Sequence, residues 1–240
     1  MIDSDPFVAV IVAAGKGERF GGETPKQYQK IREKTLLEIS TEIFLEQDLC
    51  RGVCIVINKD CSMWKSLYLA SHPKVFFIEG GDSRMDSSLN GIRFWLKHKL
   101  EFLNILIHDA VRPCLSKVDL VNLLKEFSSV KENNSIDGMI LATPCSSTIK
   151  SVQDDTNLIN KTVNRESLWF ALTPQIFTKN ILSKILELQK EFSINYTDES
   201  SLVESLGGVI KIFEGSSDNI KVTKTSDLVL AEAIISLRIK

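Results

Sequence analysis

The 240-residue sequence predicts an α/β protein in which a mostly parallel sheet carries helices on both of its faces. Two observations lead to this fold class. Short apolar runs rich in β-branched residues are typical of strands that are buried on both sides of a sheet. These runs alternate with segments whose apolar residues have helical spacing, as in parallel sheets. A length of 240 residues is long for one domain and short for two, so we expect residues 1–240 to form a single domain with an embellishment.

The first half of the chain alternates strands and helices at short intervals. The first predicted strand is the apolar run FVAVIVA at Phe7–Ala13, and a loop with four glycines follows it at 14–24. Further strands are predicted at 53–57 and 75–78, and helices at 35–47 and 64–69.

The second half continues the alternation and then interrupts it. The sequence from Ser116 to Asp119 resembles a capping box that begins a helix. Other helices are predicted at 87–98 and 226–239, and strands at 104–107, 139–142 and 208–213.

The interruption lies between about 145 and 173 and is predicted to be a β-hairpin. Two short β-prone runs, 148–152 and 158–163, flank a polar turn, and they are too polar for the centre of a sheet. Such a protruding arm could pack on a partner subunit, or it could be a surface flap of a monomer. The residues alone favour the partner subunit only slightly.

Composition excludes several classes of protein. The chain has 29 basic and 31 acidic residues, a net charge of −2, and no long block of like charges, so we expect no nucleic-acid partner. The acidic N-terminus and short first apolar run fit neither a signal peptide nor a membrane span. We therefore expect a cytoplasmic protein without membrane association. Its five cysteines, an odd number without CxxC spacing, fit reduced thiols better than disulfides or a zinc site.

The loop after the first strand has the composition of a phosphate-binding loop. In open α/β sheets, ligands bind beyond the carboxyl ends of the strands, which is where this loop begins. Its glycines allow backbone N–H groups to approach phosphates, and Lys16, Arg19 and Lys26 supply positive charge. The loop fits neither the dinucleotide fingerprint nor the P-loop pattern, and by itself it could equally be a tight turn.

The order of short motifs along the chain is more specific than any one of them. Gly15-x-Gly17-x-Arg19 followed by Pro25-Lys26-Gln27 resembles the signature of the sugar-phosphate nucleotidyltransferases. The downstream motifs are GGDSR at 80–84, Ser87, Gly91, HDAVRP at 108–113, NR at 164–165, LW at 168–169, TPQ at 173–175, TDE at 197–199 and NIKVT at 219–223. Between about residues 7 and 235, the sequence resembles the 2-C-methyl-D-erythritol 4-phosphate cytidylyltransferase family.

This resemblance implies a fold, a reaction and a dimer. It implies a Rossmann-like core of about seven strands with helices on both faces, plus the protruding hairpin arm. The implied reaction is the Mg²⁺-dependent transfer of a cytidylyl group from CTP to 2-C-methyl-D-erythritol 4-phosphate, a small polyol phosphate, in the non-mevalonate isoprenoid pathway. The products are CDP-methylerythritol and pyrophosphate. The arm would join a homodimer.

The resemblance also implies a role for each matching residue. Arg19, Lys26 and Lys221 match catalytic cations, and Asp109 matches a residue that binds both Mg²⁺ and substrate. Arg165 and Thr197 match residues that hold the polyol phosphate, with the arm serving the neighbouring active site. The nucleotide-binding positions are Ala13, Ala14, Gly15, Gly17, Gly81, Asp82, Ser87 and Ala110.

Several alternatives stay open at this point. The Asn164–Trp169 sequence favours methylerythritol phosphate over ribitol 5-phosphate, but by resemblance only. A non-catalytic nucleotide-binding protein is disfavoured because the catalytic cations and Asp109 are all retained. We expect His108 to be structural, because a phosphate nucleophile is already ionised near neutral pH. Arg84 could bind ligand, or it could hold its loop through a salt bridge.

Overall fold

A computed structural model describes residues 4–15, 20, 24–154, 156–188 and 196–238, with only the backbone described for 132–134. Its centre is one seven-stranded sheet with the strand order β11-β7-β10-β6-β1-β4-β5. These strands are β1 (Phe7–Ala13), β4 (Cys50–Ile57), β5 (Val75–Glu79), β6 (Asn104–Asp109), β7 (Gly138–Pro144), β10 (Trp169–Thr178) and β11 (Ile210–Glu214). The predicted mostly parallel sheet is confirmed, since only β10 runs antiparallel to its neighbours.

Helices cover both faces of this sheet. They are α1 (Leu36–Leu45), α2 (Arg84–Lys97), α3 (Lys117–Asn134), α4 (Lys179–Leu188), α5 (Glu199–Ser205) and α6 (Thr225–Arg238). The central strand β1 shows the two layers directly. Phe7, Ala9 and Ile11 pack with α1 and α3, whereas Val8 and Val10 pack with α2, α4 and α5. Burial on both faces explains why the β1 sequence is a continuous apolar run rather than an alternating one.

Four of the described helices, α1, α2, α3 and α5, begin at side chains that cap the backbone. Thr35 and Glu38 form a capping box at the start of α1, and Ser83 and Asp86 form another at the start of α2. At α3, the Ser116 hydroxyl accepts a hydrogen bond from the Asp119 backbone N–H, as that part of the sequence predicts. The cap of α2 matters for the site, because it fixes the segment that follows β5.

The structure differs from the sequence prediction in five places. The helix predicted at 64–69 is a pair of 3₁₀ helices, Met63–Ser66 and Tyr68–Ser71. The strand β10 and the helices α4 and α5 are not identified from the sequence. A small hairpin of β2 (Lys30–Ile31) and β3 (Lys34–Thr35), also unpredicted, precedes α1.

The predicted hairpin forms a separate two-stranded antiparallel sheet. Its strands are β8 (Ile149–Val152) and β9 (Ile159–Val163), and most of their residues are exposed. The range that we predict for the arm, about 145–173, includes the start of β10, whose residues Trp169–Ala171 pair with β7 in the main sheet. None of the helices in the described parts of the chain is long and apolar enough to cross a membrane.

Candidate active site

A cleft of about 920 Å³ opens beyond the carboxyl ends of β1, β4 and β6. This is where an open α/β sheet binds its ligands. Ten of the residues predicted from the sequence line it: Ala13, Ala14, Gly15, Lys26, Gly81, Asp82, Ser87, Asp109, Ala110 and Lys221. The fold therefore gathers residues from four distant parts of the sequence into one concave surface.

One wall of the cleft is built so closely that only glycine fits. A Cβ atom at Gly80 would lie 2.5 Å from the Ala14 Cβ and 2.7 Å from the Ser87 Oγ, and one at Gly81 would lie 2.4 Å from the Asp86 Cβ. The Ser87 hydroxyl accepts from the Gly81 N–H at 3.1 Å and donates to the Ser83 carbonyl at 2.9 Å. We call the part of the cleft beside Gly81 and Ser87 the nucleotide slot, and these backbone groups and the Ser87 hydroxyl lie in its wall.

Lys26 reaches the cleft from a clamped turn. It begins the 3₁₀ helix Lys26–Tyr28, in which Gln27 and Tyr28 are buried. The Gln27 side-chain amide donates to the Ala13 carbonyl at 2.8 Å and to the Gly15 carbonyl at 3.2 Å. Gln27 thus ties the turn that carries Lys26 to the loop that follows β1.

Three cations surround the buried carboxylate of Asp109. Its Oδ1 accepts from the Arg84 Nε at 3.2 Å. Its Oδ2 lies 3.2 Å from the Arg112 Nε and 3.0 Å from the Lys221 Nζ. Burial alone would raise the pKa of Asp109, but Arg84, Lys221 and Arg112 together hold it well below its usual range. Asp109 is therefore ionised throughout the physiological pH range.

The segment that carries Lys221 is held from both sides. Before it, the Asn219 side chain donates to the Thr173 carbonyl at 2.7 Å, and the Asn219 carbonyl accepts from the Arg112 Nη1 at 2.8 Å. After it, the N–H of the buried Val222 donates to the Val111 carbonyl at 2.8 Å. These bonds place Lys221 beside Asp109 although 112 positions separate them in the sequence (221 minus 109).

Arg84 connects Asp109 to a second carboxylate. Its Nη1 and Nη2 lie 2.9 and 3.3 Å from the two carboxylate oxygens of Glu199, which is 1% exposed. Arg84 therefore forms the salt bridge that the sequence analysis considered for it, while its side chain also lines the cleft.

His108 lies behind Asp109 and is fully buried. Its Nε2 is 3.2 Å from the Arg112 carbonyl, and its Nδ1 is 2.9 Å from the Thr173 hydroxyl. Burial lowers the pKa of the His108 imidazole to about 4, outweighing the nearby Asp109 carboxylate. The ring does not line the cleft, so its contacts fit the structural role expected for it.

The pH dependence of stability should report this burial. Because the unfolded chain protonates His108 near pH 6.5 and the folded chain only near pH 4, the folded state loses stability as the pH falls through this window. We expect the free energy of unfolding to fall by roughly 3 kcal/mol between pH 7 and pH 4 from this group alone. Urea unfolding at half-unit pH steps measures the slope.

Two variants separate this contribution from the rest. His108→Gln should be less stable at pH 7 but should show a clearly flatter slope between pH 6.5 and pH 4.5. His72→Gln, at a half-buried position outside the cleft, is the control and should keep the wild-type slope. An unchanged slope in His108→Gln would assign the pH dependence to other groups.

Four of the predicted site residues do not line the cleft in the described chain. Gly17 and Arg19 lie outside the described residues, so their roles stay predictions. Arg165 is exposed at the base of the arm, where its Nη1 donates to the Ser146 carbonyl. Thr197 is exposed just before the N-terminal cap of α5, two residues from Glu199.

The site also contains residues to which the sequence analysis assigned no role. Gln27, Arg112, Thr173 and Glu199 all lie within the quoted motifs, namely PKQ, HDAVRP, TPQ and TDE. Gln27 contacts Ala13, Arg112 and Thr173 contact Asp109, and Glu199 contacts Arg84. Of these four residues, only Gln27 lines the cleft. Their positions within these motifs indicate that they belong to the site, but the sequence does not show which side chains they contact.

Three carboxylates of the described chain line the cleft, those of Asp60, Asp82 and Asp109, and Asp109 is the one that is buried among cations. Within the described ranges, no three His, Cys, Asp or Glu side chains form a cluster that could hold a metal. Mg²⁺ often uses one or two carboxylates and completes its octahedron with water and substrate phosphates. Asp109 fits such a shared site only, since Lys221 and Arg112 already occupy Oδ2. The Lys221 side chain is 35% exposed and is the partner best able to move.

A glycine-walled cleft that places lysine and arginine side chains around a buried carboxylate has the features of a nucleotidyltransferase site. The family model described as IspD, 2-C-methyl-D-erythritol 4-phosphate cytidylyltransferase, matches residues 7–237. The chain therefore belongs to the 2-C-methyl-D-erythritol 4-phosphate cytidylyltransferase family and is a nucleotidyltransferase enzyme.

Individual relatives agree with this assignment over nearly the full chain. The enzyme of that name from Blochmanniella pennsylvanica is 40% identical over 234 residues, which are 96% of this chain and 95% of the relative. That from Escherichia coli O139:H28 is 41% identical over 224 residues, or 93% and 91% of the two chains. The crystal structure of the Francisella tularensis enzyme has a TM-score of 0.75 at 29% identity, covering 95% of this chain and 99% of that one.

Proposed function

We propose that this protein transfers the cytidylyl group of CTP to 2-C-methyl-D-erythritol 4-phosphate and releases pyrophosphate. The observation that carries the proposal is the charge cluster at the cleft, where Lys221 contacts a buried Asp109 that Arg84 and Arg112 also hold. Membership of the family supplies the identity of the two substrates.

The reaction requires positioning and charge stabilisation rather than covalent catalysis. An oxygen of the acceptor phosphate attacks the α-phosphorus of CTP and forms the new P–O bond. The bond to the bridging oxygen of the β-phosphate breaks, and pyrophosphate leaves with the bonding electrons. No proton must be removed from the nucleophile, since a phosphate monoester is already an anion at neutral pH. This agrees with a site built from cations and without a histidine lining the cleft.

The charges of the site suit two phosphorylated substrates. Among the described residues, five cations and four carboxylates line the cleft or contact Asp109 or Arg84 there: Lys26, Lys59, Arg84, Arg112 and Lys221 against Asp60, Asp82, Asp109 and Glu199. An excess of fixed positive charge stabilises the negative charge that moves onto pyrophosphate. Lys26 and Lys221 are the lysines we assign to this role.

The nucleotide slot at Gly81 and Ser87 is suited to the cytosine ring. Its packing excludes side chains larger than hydrogen at residues 80 and 81, so a flat ring can approach the backbone. Backbone groups and a small hydroxyl can read the edge of a base, and the shape excludes bulkier ones.

We assign Mg²⁺ to Asp109, in the shared site described above. The ion would supply charge neutralisation at the phosphate oxygens of CTP. For the chain itself, this assignment requires that Lys221 move from the Asp109 Oδ2 towards a phosphate, which its partial exposure permits.

We propose further that the arm joins two copies of the chain. Apolar side chains are exposed along the arm and at the start of β10: Val152, Leu158, Ile159, Trp169 and Phe170. Such a concentration of exposed apolar surface is typical of an interaction site. In a dimer of this kind, Arg165 would reach the acceptor phosphate in the neighbouring cleft, where a guanidinium can hold a phosphate through two hydrogen bonds.

Removing Arg165 should weaken the binding of the acceptor rather than the binding of CTP. Arg165→Ala is expected to raise the KM for methylerythritol phosphate by roughly tenfold or more, because a charge-assisted contact is lost. The KM for CTP should change little, and Lys161→Ala on the same arm is the control. A KM for the acceptor equal to that of the wild type would remove Arg165 from the site.

Mixing two impaired variants tests whether Arg165 acts on the neighbouring subunit, if the acceptor concentration is kept well below the KM of Arg165→Ala. A heterodimer of Lys26→Ala and Arg165→Ala keeps one intact site only if each arm serves the other subunit. In an equimolar mixture that has exchanged subunits, about half of the dimers are heterodimers with one intact site of two, so activity should recover to about a quarter of that of wild-type dimers. Mixtures no more active than the separate variants would place Arg165 in its own subunit's site, or the chain in a monomer.

Pyrophosphate release with CTP and Mg²⁺ tests the reaction and the substrate together. Methylerythritol 4-phosphate should support release, and ribitol 5-phosphate should not. Release with ribitol 5-phosphate only would keep the mechanism and overturn the proposed acceptor. A folded protein that is inactive with both acceptors would contradict the proposed function.

A further inference from the structure

Glu199 is a buried acid that touches the active site only through another residue. It is 1% exposed and does not line the cleft. Buried carboxylates are rare unless they are paired, and the partner of Glu199 is Arg84. Glu199 therefore cannot contact substrate, and any effect that it has on the reaction must pass through Arg84.

Glu199 determines how Arg84 divides its hydrogen bonds. The two terminal nitrogens of Arg84 both point to Glu199, at 2.9 and 3.3 Å, which leaves Nε for the Asp109 Oδ1 at 3.2 Å. A guanidinium with no other anion nearby would turn its paired nitrogens towards Asp109 and grip both of its oxygens. Glu199 thus limits Arg84 to the Asp109 Oδ1 and leaves the Oδ2 to Arg112 and Lys221.

The position of Glu199 does not depend on Arg84. Gln175 on β10, itself 1% exposed, accepts from the Ser200 N–H at 3.0 Å and donates to the Asp198 Oδ2 at 2.8 Å. These two bonds hold the residues on both sides of Glu199 against the central sheet. Residues of β10 therefore hold the segment that carries Glu199, Glu199 holds Arg84, and Arg84 contacts Asp109.

We propose that Glu199 is a positioning residue for the transfer reaction, which holds Arg84 on the Asp109 Oδ1 so that the Asp109 Oδ2 keeps its contact with Lys221 at the cleft. This inference rests on the proposed function, since it names a residue that supports that same site.

Glu199→Gln tests the inference, because it removes the charge and keeps the shape. We expect kcat to fall about 10- to 100-fold, the usual effect of losing an outer support of a site. The KM for CTP should stay within about threefold, since the nucleotide slot rests on the Ser83–Asp86 cap and not on Glu199. Glu204→Gln, an exposed glutamate on the same helix, is the matched control and should behave as wild type.

A double variant distinguishes positioning from a general loss of structure. If Glu199 acts through Arg84, then Glu199→Gln combined with Arg84→Gln should be no slower than Arg84→Gln alone. Effects on kcat that multiply, or a Glu199→Gln enzyme with wild-type kcat, would overturn the inference. Should Glu199→Gln fail to fold, Glu199→Asp keeps the charge on a shorter side chain. It should lower kcat with the same unchanged KM for CTP, and a wild-type kcat would again overturn the inference.

The wild-type reaction separates this inference from the proposed function. A wild type that transfers to neither acceptor overturns both. A wild type that is active, with a Glu199→Gln variant equally active, overturns the role of Glu199 alone.

Discussion

Replacing Lys26 by alanine should lower turnover by about 10² to 10³ while leaving the fold intact. One preorganised donor that meets charge developing in the transition state typically contributes this much. We measure it as kcat for pyrophosphate release, with saturating CTP and acceptor.

The structure gives a specific reason to expect a preorganised lysine here. Gln27 bonds to the Ala13 and Gly15 carbonyls, and Tyr28 is buried, so the turn beneath Lys26 cannot move freely. The backbone from which the Lys26 side chain reaches the cleft is therefore fixed before substrate arrives, so less ordering is needed during the reaction. Alanine removes the charge and leaves both neighbouring anchors in place.

The control for Lys26 lies four residues away. Lys30 is exposed on β2, outside the cleft, and Lys30→Ala should keep wild-type turnover. The urea midpoint of Lys26→Ala should match that of the wild type, because the anchors Gln27 and Tyr28 are untouched. Turnover of Lys26→Ala within a few-fold of the wild type would remove Lys26 from the catalytic cations.

The parts of the fold that the sequence predicts are those determined by local pattern. The strand β1 is found with its predicted bounds, Phe7–Ala13, because burial on both faces requires an uninterrupted apolar run. The hairpin arm is also found, because its alternating β-prone runs flank a polar turn. In both cases the neighbouring residues alone carry the signal.

The strand β10 shows where local pattern fails. Its sequence, WFALTPQIFT, contains Pro174, and proline within an apolar run argues against a central strand. The structure accommodates it at an irregularity, since β10 pairs with β7 at Trp169–Ala171 and again at Gln175–Phe177 but not between. Proline's missing N–H therefore falls where no partner in β7 is required. Only the pairing of β10 with β7 shows that the proline is tolerated. For this reason the sequence prediction omits β10 and resumes the sheet at 208–213.

The candidate site divides in the same way. The motifs predict which residues line the cleft, and ten of the predicted residues line it. They do not predict which side chains pair, because the Arg84–Glu199 contact joins positions 115 residues apart. From the sequence, Arg84 could bind ligand or form a salt bridge. Its geometry beside Asp109 and Glu199 shows that it lines the cleft and also forms the salt bridge.

Asp109→Asn should combine the loss of activity with a loss of stability. Asparagine has nearly the same shape but no charge, so three cations lose the anion around which they are arranged. Breaking a buried ion pair from one side typically costs about 3–5 kcal/mol of unfolding free energy. We expect the lower end, about 3 kcal/mol, because Arg84 keeps Glu199 and Arg112 keeps the Asn219 carbonyl. Turnover should fall by about 10² to 10³.

Pyrophosphate should distinguish this explanation from simple damage to the fold. If the instability of Asp109→Asn comes from unpaired cations, then a polyanion in the cleft should neutralise them. Added pyrophosphate should therefore raise the melting temperature of Asp109→Asn more than that of the wild type, and ionic strength should reduce the difference. Asp48→Asn, at an exposed position away from the cleft, should match the wild type with and without pyrophosphate. If Asp109→Asn is as stable as the wild type, Asp109 does not serve as the counter-ion of this site, and the cations must be held apart by their other partners.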